Sequence, residues 1–345
     1  MKDLKKIKVL IVDDSVVFRE ILSKELSADK GIEVVATARD PYDARDKILK
    51  YHPDVMILDI EMPRMNGLEF LQKLLPQYNM RVIVTSSADY RVFDALNAGA
   101  VDFVPKPGAD TGTNMKGYIN ELIIKIKTAS VAKLLHSDKK FKITPEHNTS
   151  SFAKDKIIAI GASTGGTEAI IRVLKVFSND IPGIVITQHM PPVFTDMYAQ
   201  RLNKLLPLEV KEAKDGDTVQ AGRVLIAPGD QHMTVKKIGS IYKVRCSKGE
   251  KVNGHCPSVD VLFNSVAKEA GKNAIGIILT GMGNDGAKGL LEMRTQGART
   301  IGQNEASCVV YGMPKVAYSI GAVERESDIG NIGHIVYSFL KWWVR

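Results

Sequence analysis

The chain has 345 residues, 44% of them hydrophobic and 25% charged, with a net charge of +8. That length and balance describe an ordinary globular chain of two domains, each able to bury its own core. No apolar run reaches the length of a membrane span and the charged start runs straight into a strand, so a cytoplasmic protein without membrane insertion is expected. Cys246, Cys256 and Cys308 are scattered, which suits a reducing compartment and gives neither a disulfide framework nor a zinc spacing. No basic helix with interleaved aromatics concentrates the positive charge, so nucleic acid is not an expected partner.

In chain order, residues 9–12 form a short aliphatic run that ends in Asp13-Asp14-Ser15, and apolar residues at helical spacing follow over 16–27. The alternation then repeats, with strands at 33–37, 55–58, 82–85 and 101–104 and helices at 41–51, 68–75, 90–98 and 114–127. Five such units predict a parallel sheet with helices on both faces. Ligands of that architecture bind beyond the carboxyl ends of the strands, where Asp13, Asp14, Asp59, Ser86 and Lys106 fall. Three crowded carboxylates repel one another unless they hold a hard divalent cation, and magnesium is the expected one. A carboxylate beside that cation can attack a phosphoryl group, with Lys106 stabilising its oxygens; Asp59 is the candidate. Helix capping explains any one of these residues but not the set.

The segments Val12-Asp13-Asp14-Ser15, Leu58-Asp59-Ile60-Glu61-Met62-Pro63, Asn66-Gly67, and Gly99-Ala100-Val101-Asp102-Phe103 leading to Lys106-Pro107 resemble the receiver domain of bacterial response regulators. The resemblance implies that Asp59 takes phosphate from a histidine kinase, with Asp14 and Asp59 on magnesium and Asp13 near it. It also implies a cis Lys106–Pro107 bond. Among Thr85, Ser86 and Ser87, alignment from Val82 favours Ser86 as the hydroxyl that senses the phosphoryl group; Ala88-Asp89 then departs from what related proteins usually carry.

Residues 128–155 turn polar and basic and read as a tether. The expected division is therefore a receiver at 1–127, a linker at 128–155 and a second domain at 156–345. Strands are expected there at 157–160, 184–187, 224–227, 274–280 and 299–303, again mainly parallel, with an antiparallel insert around 233–246. The apolar run 157–160 breaks at Gly161-Ala162-Ser163-Thr164-Gly165-Gly166 before a helical pattern. Such a turn leaves a hydroxyl standing beside the free N–H groups of a helix start. Gly161-x-Ser163-x-Gly165 matches a serine-hydrolase signature, while Ser163 or Thr164 as a helix cap is the alternative. The dinucleotide pattern wants Gly where Ser163 sits, and no Walker lysine follows.

His189, His232 and Asp285 also fall at strand ends. A hydroxyl needs a base and the base an orienting acid, so Ser163, His189 and Asp285 would make a triad. The alternatives are a satisfied loop histidine at 189 and Asp285 as N-cap of a helix at 289–295. The order serine, histidine, aspartate speaks against the α/β-hydrolase fold. The glycine-rich loop 281–286 permits close backbone approach, and Met282 is the expected main-chain donor to an oxyanion.

These stretches, with Gln188-His189-Met190-Pro191-Pro192, Ala227-Pro228-Gly229-Asp230, Pro257-Ser258-Val259-Asp260 and Val309-Val310-Tyr311-Gly312-Met313-Pro314, resemble the catalytic domain of the chemotaxis protein-glutamate methylesterase (CheB) family. The resemblance implies two doubly wound α/β domains, a five-stranded (βα)5 receiver and a mainly parallel methylesterase domain. Ser163 is then nucleophile, His189 base and Asp285 its partner, with Thr164 and Met282 nearby and His255 and His232 lining or bracing the site. Cys256 stands where relatives commonly carry Arg. The implied activity is hydrolysis of glutamyl methyl esters on chemoreceptors, with deamidation of glutamines and no cofactor for the esterase step. A chemotaxis histidine kinase would be phosphodonor, and the unphosphorylated receiver would cover the catalytic cleft. A phosphorylation-switched adaptor without catalysis is the rival reading; a DNA-binding output is another, and no helix-turn-helix segment supports it.

Overall fold

A computed structural model of the chain describes residues 5–62, 65–87, 90–108, 114–134 and 155–342. The chain divides into two compact units, Met1–His136 and Ser137–Arg345.

The first unit holds five parallel strands, β1 (Ile7–Val12), β2 (Ile32–Ala38), β3 (Val55–Asp59), β4 (Arg81–Ser86) and β5 (Asp102–Pro105), in the order β2-β1-β3-β4-β5. Between and after them run α1 (Val16–Ser27), α2 (Pro41–Tyr51), α3 (Gly67–Leu74), α4 (Arg91–Asn97) and α5 (Met115–Ser130). Four of these helices start on a side chain that accepts a backbone N–H: Ser15, Asp40, Asn66 and Asn114. Each satisfies one of the orphan donors of a first turn. The strand order reverses between β1 and β3, so Asp13, Asp14 and Asp59 meet at the switch point.

Two expectations need correction here. Helix α5 continues to Ser130, into the stretch read as tether, because Thr128 and Ala129 are buried and the Thr128 hydroxyl donates to the Ile124 carbonyl. Polar composition alone hid that packing. The Lys106–Pro107 bond is not cis; the cis X–Pro bond among the described residues is Cys256–Pro257. Residues 135–154 of the expected tether, and Ala88-Asp89, lie outside the described residues.

The second unit is built on seven parallel strands, ordered β15-β14-β13-β6-β7-β10-β8. In chain order they are β6 (Ile157–Ala162), β7 (Gly183–Gln188), β8 (Glu209–Glu212), β10 (Arg223–Ile226), β13 (Ala274–Ile278), β14 (Arg299–Gln303) and β15 (Arg325–Ser327). The antiparallel insert is a three-stranded sheet of β9 (Thr218–Val219), β11 (His232–Ile238) and β12 (Ile241–Ser247). The helices are α6 (Gly166–Leu174), α7 (Phe194–Leu205), α8 (Val259–Ala270), α9 (Ala287–Thr295), α10 (Met313–Ser319) and α11 (Ile329–Trp342). Strands β6, β7 and β13 are buried along their whole length, as expected of a sheet covered on both faces. One core cluster joins β6 and β13 to α8 and to the insert through Val259, Phe263, Ile278 and Met233. The order again reverses beside the first strand, β6, between β7 and β13, which places the ends of those three strands at one crevice.

Candidate active site

The chain leaves β6 through Ser163 and Thr164 and enters α6 after Gly165, whose φ of 76° only glycine adopts without strain. Gly165 is the N-cap of α6 and the helix has no side-chain cap, so neither Ser163 nor Thr164 serves that purpose. Both are buried, and Ser163 is held through its backbone: its N–H donates to the Thr280 carbonyl at 3.0 Å, and its carbonyl accepts from Gly166 and from Gln188 Nε2. The Ser163 hydroxyl makes no hydrogen bond among the described residues.

His189 follows β7. Ala162 pairs with Gln188 in the β6–β7 register, and the His189 N–H donates to the Ala162 carbonyl at 3.1 Å, so Ser163 and His189 leave neighbouring strands side by side. Gln188, whose position in the motif gave no hint of this, donates its Nε2 to the carbonyls of both Ser163 and His189, at 3.0 and 3.1 Å. It ties together the backbones of residues 163 and 189.

The third member comes from the loop after β13. Asp285 Oδ2 lies 2.8 Å from His189 Nε2. Asp285 does not cap α9, whose N-cap is Gly286; it sits instead at the start of α8, accepting from the Val259 N–H at 2.7 Å and the Asp260 N–H at 3.2 Å. Ser258 Oγ and Asn253 Nδ2 complete its shell, each at 2.8 Å. Burial alone would raise its pKa, but the hydrogen bond and charge of His189, with the Asn253 and Val259 donors, hold the carboxyl well below its usual range. The N-terminal dipole of α8 works in the same direction. Whenever the imidazole carries a single proton, an ionised Asp285 holds that proton on Nε2 and leaves Nδ1 as the basic nitrogen. Among the described residues that nitrogen is buried with no partner, and the hydroxyl of Ser163, which leaves the neighbouring strand, makes no hydrogen bond either. The structure thus brings His189 onto Asp285 and Ser163 next to His189 along the sheet, without a hydrogen bond between the last two. Catalytic hydrogen bonds of unliganded sites commonly close only around substrate.

The ionised state of Asp285 has a consequence for stability. A depressed carboxyl pKa contributes stability above the unfolded value near 4, and loses it as pH falls through the folded value. Asp285→Asn therefore has a lower thermal midpoint than the parent at pH 7. Scans from pH 7 to pH 3 should show that gap narrowing; a gap that widens on acidification contradicts the assignment.

The remaining predicted residues take distinct positions. The His255 ring stacks on His189 at a centroid distance of 3.6 Å and an interplanar angle of 11°. His232 is a satisfied brace: Nδ1 accepts from the Ser258 N–H at 3.2 Å and Nε2 donates to the Glu250 carbonyl at 2.8 Å. Met282 is 45% exposed and its N–H donates to nothing among the described residues, as an oxyanion donor requires. Cys256 is half-buried, and burial with the Asp230 charge pushes its thiol up, away from nucleophilic chemistry.

In the first unit, Asp13, Asp14 and Asp59 bring carboxylate oxygens within 4.8 Å of one another, a hard-oxygen donor set that fits magnesium. Lys106 Nζ lies 2.9 Å from Asp13 Oδ2 and 2.7 Å from Asp59 Oδ2. Burial pushes the Asp59 carboxyl up despite that lysine. Among the described residues the Ser86 hydroxyl, buried at the end of β4, has no partner, whereas Ser87 Oγ is committed to Glu61 Oε2 at 2.9 Å.

Comparison with known proteins accords with both halves. A family described as CheB methylesterase matches residues 158–336, and the response regulator receiver domain matches residues 9–113. A protein-glutamate methylesterase/protein-glutamine glutaminase 2 of Syntrophomonas wolfei is 57% identical over 337 residues, 98% of each chain. The protein-glutamate methylesterase/protein-glutamine glutaminase of Salmonella typhimurium is 48% identical over 333 residues, 95% of each chain. The crystal structure of the Thermotoga maritima CheB methylesterase catalytic domain covers 53% of this chain and 97% of its own, at 36% identity and a TM-score of 0.52. With two family matches in tandem and relatives aligned almost end to end, this chain belongs to the CheB protein-glutamate methylesterase family.

Proposed function

We propose that the chain is a phosphorylation-regulated serine hydrolase that removes methyl groups from glutamyl methyl esters of chemoreceptors, releasing methanol, and that deamidates receptor glutamines by the same route. The observation that carries this reading is His189, bound through Nε2 to a buried ionised Asp285, with Nδ1 unpartnered among the described residues and Ser163 leaving the neighbouring strand. Ser163 Oγ attacks the ester carbonyl carbon while His189 Nδ1 takes the hydroxyl proton. The negative charge that gathers on the carbonyl oxygen is met by the Met282 N–H. Collapse breaks the bond to the methoxy oxygen, which leaves as methanol with the proton from the imidazolium. Water, deprotonated by His189, then attacks the glutamyl-serine ester and regenerates Ser163. An amide follows the same course with ammonia as leaving group.

Control resides in the first unit. Asp13, Asp14 and Asp59 would hold magnesium, which supplies positive charge for phosphoryl transfer when bound. Asp59 takes the phosphoryl group from a chemotaxis histidine kinase, Lys106 neutralises its oxygens, and Ser86 offers the unpartnered hydroxyl to them. Chemoreceptors are the substrates, and the cytoplasm, where a kinase reaches Asp59, is the site of action. Among the described residues no helix is long and apolar enough to cross a membrane. The test is methanol release from methylated receptor membranes with and without a small phosphodonor. Release that rises with phosphodonor supports the reading, and no release in either condition overturns it.

A further inference from the structure

The loop between β12 and α8 contributes two groups to the triad from a single tight turn. Val252 and His255 form an antiparallel bridge, exchanging N–H···O bonds of 3.0 Å in both directions. The residues between them, Asn253 and Gly254, have φ of 53° and 84°. Positive φ at both central residues defines a type I′ turn, for which Asn-Gly is the preferred pair. The turn fixes where its flanking side chains point. His255 lands on the face of His189, and Asn253 Nδ2 spends one hydrogen on Asp285 Oδ1 at 2.8 Å and the other on Asp260 Oδ2 at 2.7 Å.

That sharing matters because Asp260 and Asp285 are both buried and share a neighbourhood. Asp260 Oδ1 is anchored by the Gly289 N–H at 2.7 Å. Burial, reinforced by the Asp285 charge, pushes the Asp260 carboxyl up. Two carboxylates so placed compete for a proton unless a donor stands between them. The α8 N-terminus is already served by Ser258, whose Oγ accepts from Val261, so Asn253 is not needed as a cap.

We propose that Asn253 is a positioning residue of the triad: its amide separates Asp285 from Asp260 and aims Asp285 at His189, while its turn seats His255 on the imidazole. The role rests on the triad reading above. Removing the amide deprives Asp285 of a donor, so more of its charge is felt by His189, and it exposes Asp285 to Asp260. The first effect raises the proton affinity of His189 and the second that of Asp285. Both move the acid limb of the pH–rate profile to higher pH. Among the described residues the ionisable groups facing the pair are Asp260 from α8 and His255 from the turn.

Two substitutions keep the turn and remove the amide. Asn253→Gly retains a pair that favours type I′, and Asn253→Asp does the same while replacing the donor by a third carboxylate. In the full chain, stimulated by a phosphodonor, both should lower kcat for methanol release on the order of tenfold or more with KM held. Both should also shift the acid limb upward, Asn253→Asp further than Asn253→Gly. Parent kcat and parent acid limb in either variant overturn the proposal, as does a lowered thermal midpoint with parent kcat per folded molecule. Ser163→Ala run alongside separates the two readings. If it retains activity the triad itself fails; if it is inactive while the Asn253 variants match the parent, only the role of Asn253 fails.

Discussion

Ser163→Ala should lower kcat for methanol release by roughly a thousandfold or more while the protein stays folded. The reasoning combines geometry with energetics. The Ser163 backbone is tied to Thr280, Gly166 and Gln188, and those bonds survive the substitution. Among the described residues its hydroxyl has no hydrogen-bond partner to lose, so the change strands no buried donor or acceptor there. The thermal midpoint should therefore stay within about 2 °C of the parent. An inactive variant with an unchanged midpoint assigns the loss to chemistry. Residual turnover near the parent rate would remove Ser163 from the mechanism and return the second unit to the rival reading of a receptor-binding adaptor.

Asp59→Asn should abolish the rise in esterase activity that a phosphodonor produces. Asp59 is 1% exposed at the end of β3, and Lys106 Nζ stands 2.7 Å from its Oδ2. An amide preserves the shape and the ability to accept from the Glu61 N–H but does not attack phosphorus. The ratio of rates with and without phosphodonor should fall to about 1, set against the parent ratio measured in the same assay. An undiminished ratio would place the phosphoryl group elsewhere or separate control from the receiver.

Much of this site could be read from the sequence because strand ends announce themselves. The runs Val9–Leu10–Ile11–Val12 and Ile157–Ile158–Ala159–Ile160 are continuous and aliphatic, as buried parallel strands are, and the polar residues that follow them fall at the crevice. Edge strands carry no such signal. β8 reads Glu-Val-Lys-Glu and β15 reads Arg-Glu-Ser, charged as exposed edges tend to be, and periodicity passes over both. The strand expected at 274–280 stops at Ile278; beyond it the Thr280 N–H donates to the Gln303 side chain and the Gly281 N–H to the Val310 carbonyl.

Side-chain partnerships were less accessible. Asp285 had two readings from sequence, cap of α9 or partner of His189; in the structure it receives α8, an element that begins 26 residues earlier. Gln188, Asn253 and Ser258 act through contacts 25 to 32 residues away in sequence, which no local pattern encodes. Asn253 left one trace, since Asn-Gly is the strongest short-range sign of a tight hairpin. Its weight comes only from what lies beneath the turn.

The central claim is that Ser163 is the nucleophile, and covalent trapping tests it most directly. A fluorophosphonate ester that loses fluoride to an activated serine would be reacted with the full chain, and the labelled peptide located by mass spectrometry. One label per chain on Ser163, absent in Ser163→Ala, slowed in His189→Ala and accompanied by loss of methanol release, is the predicted result. A label on another residue, or methanol release that continues after Ser163 is fully occupied, contradicts the account.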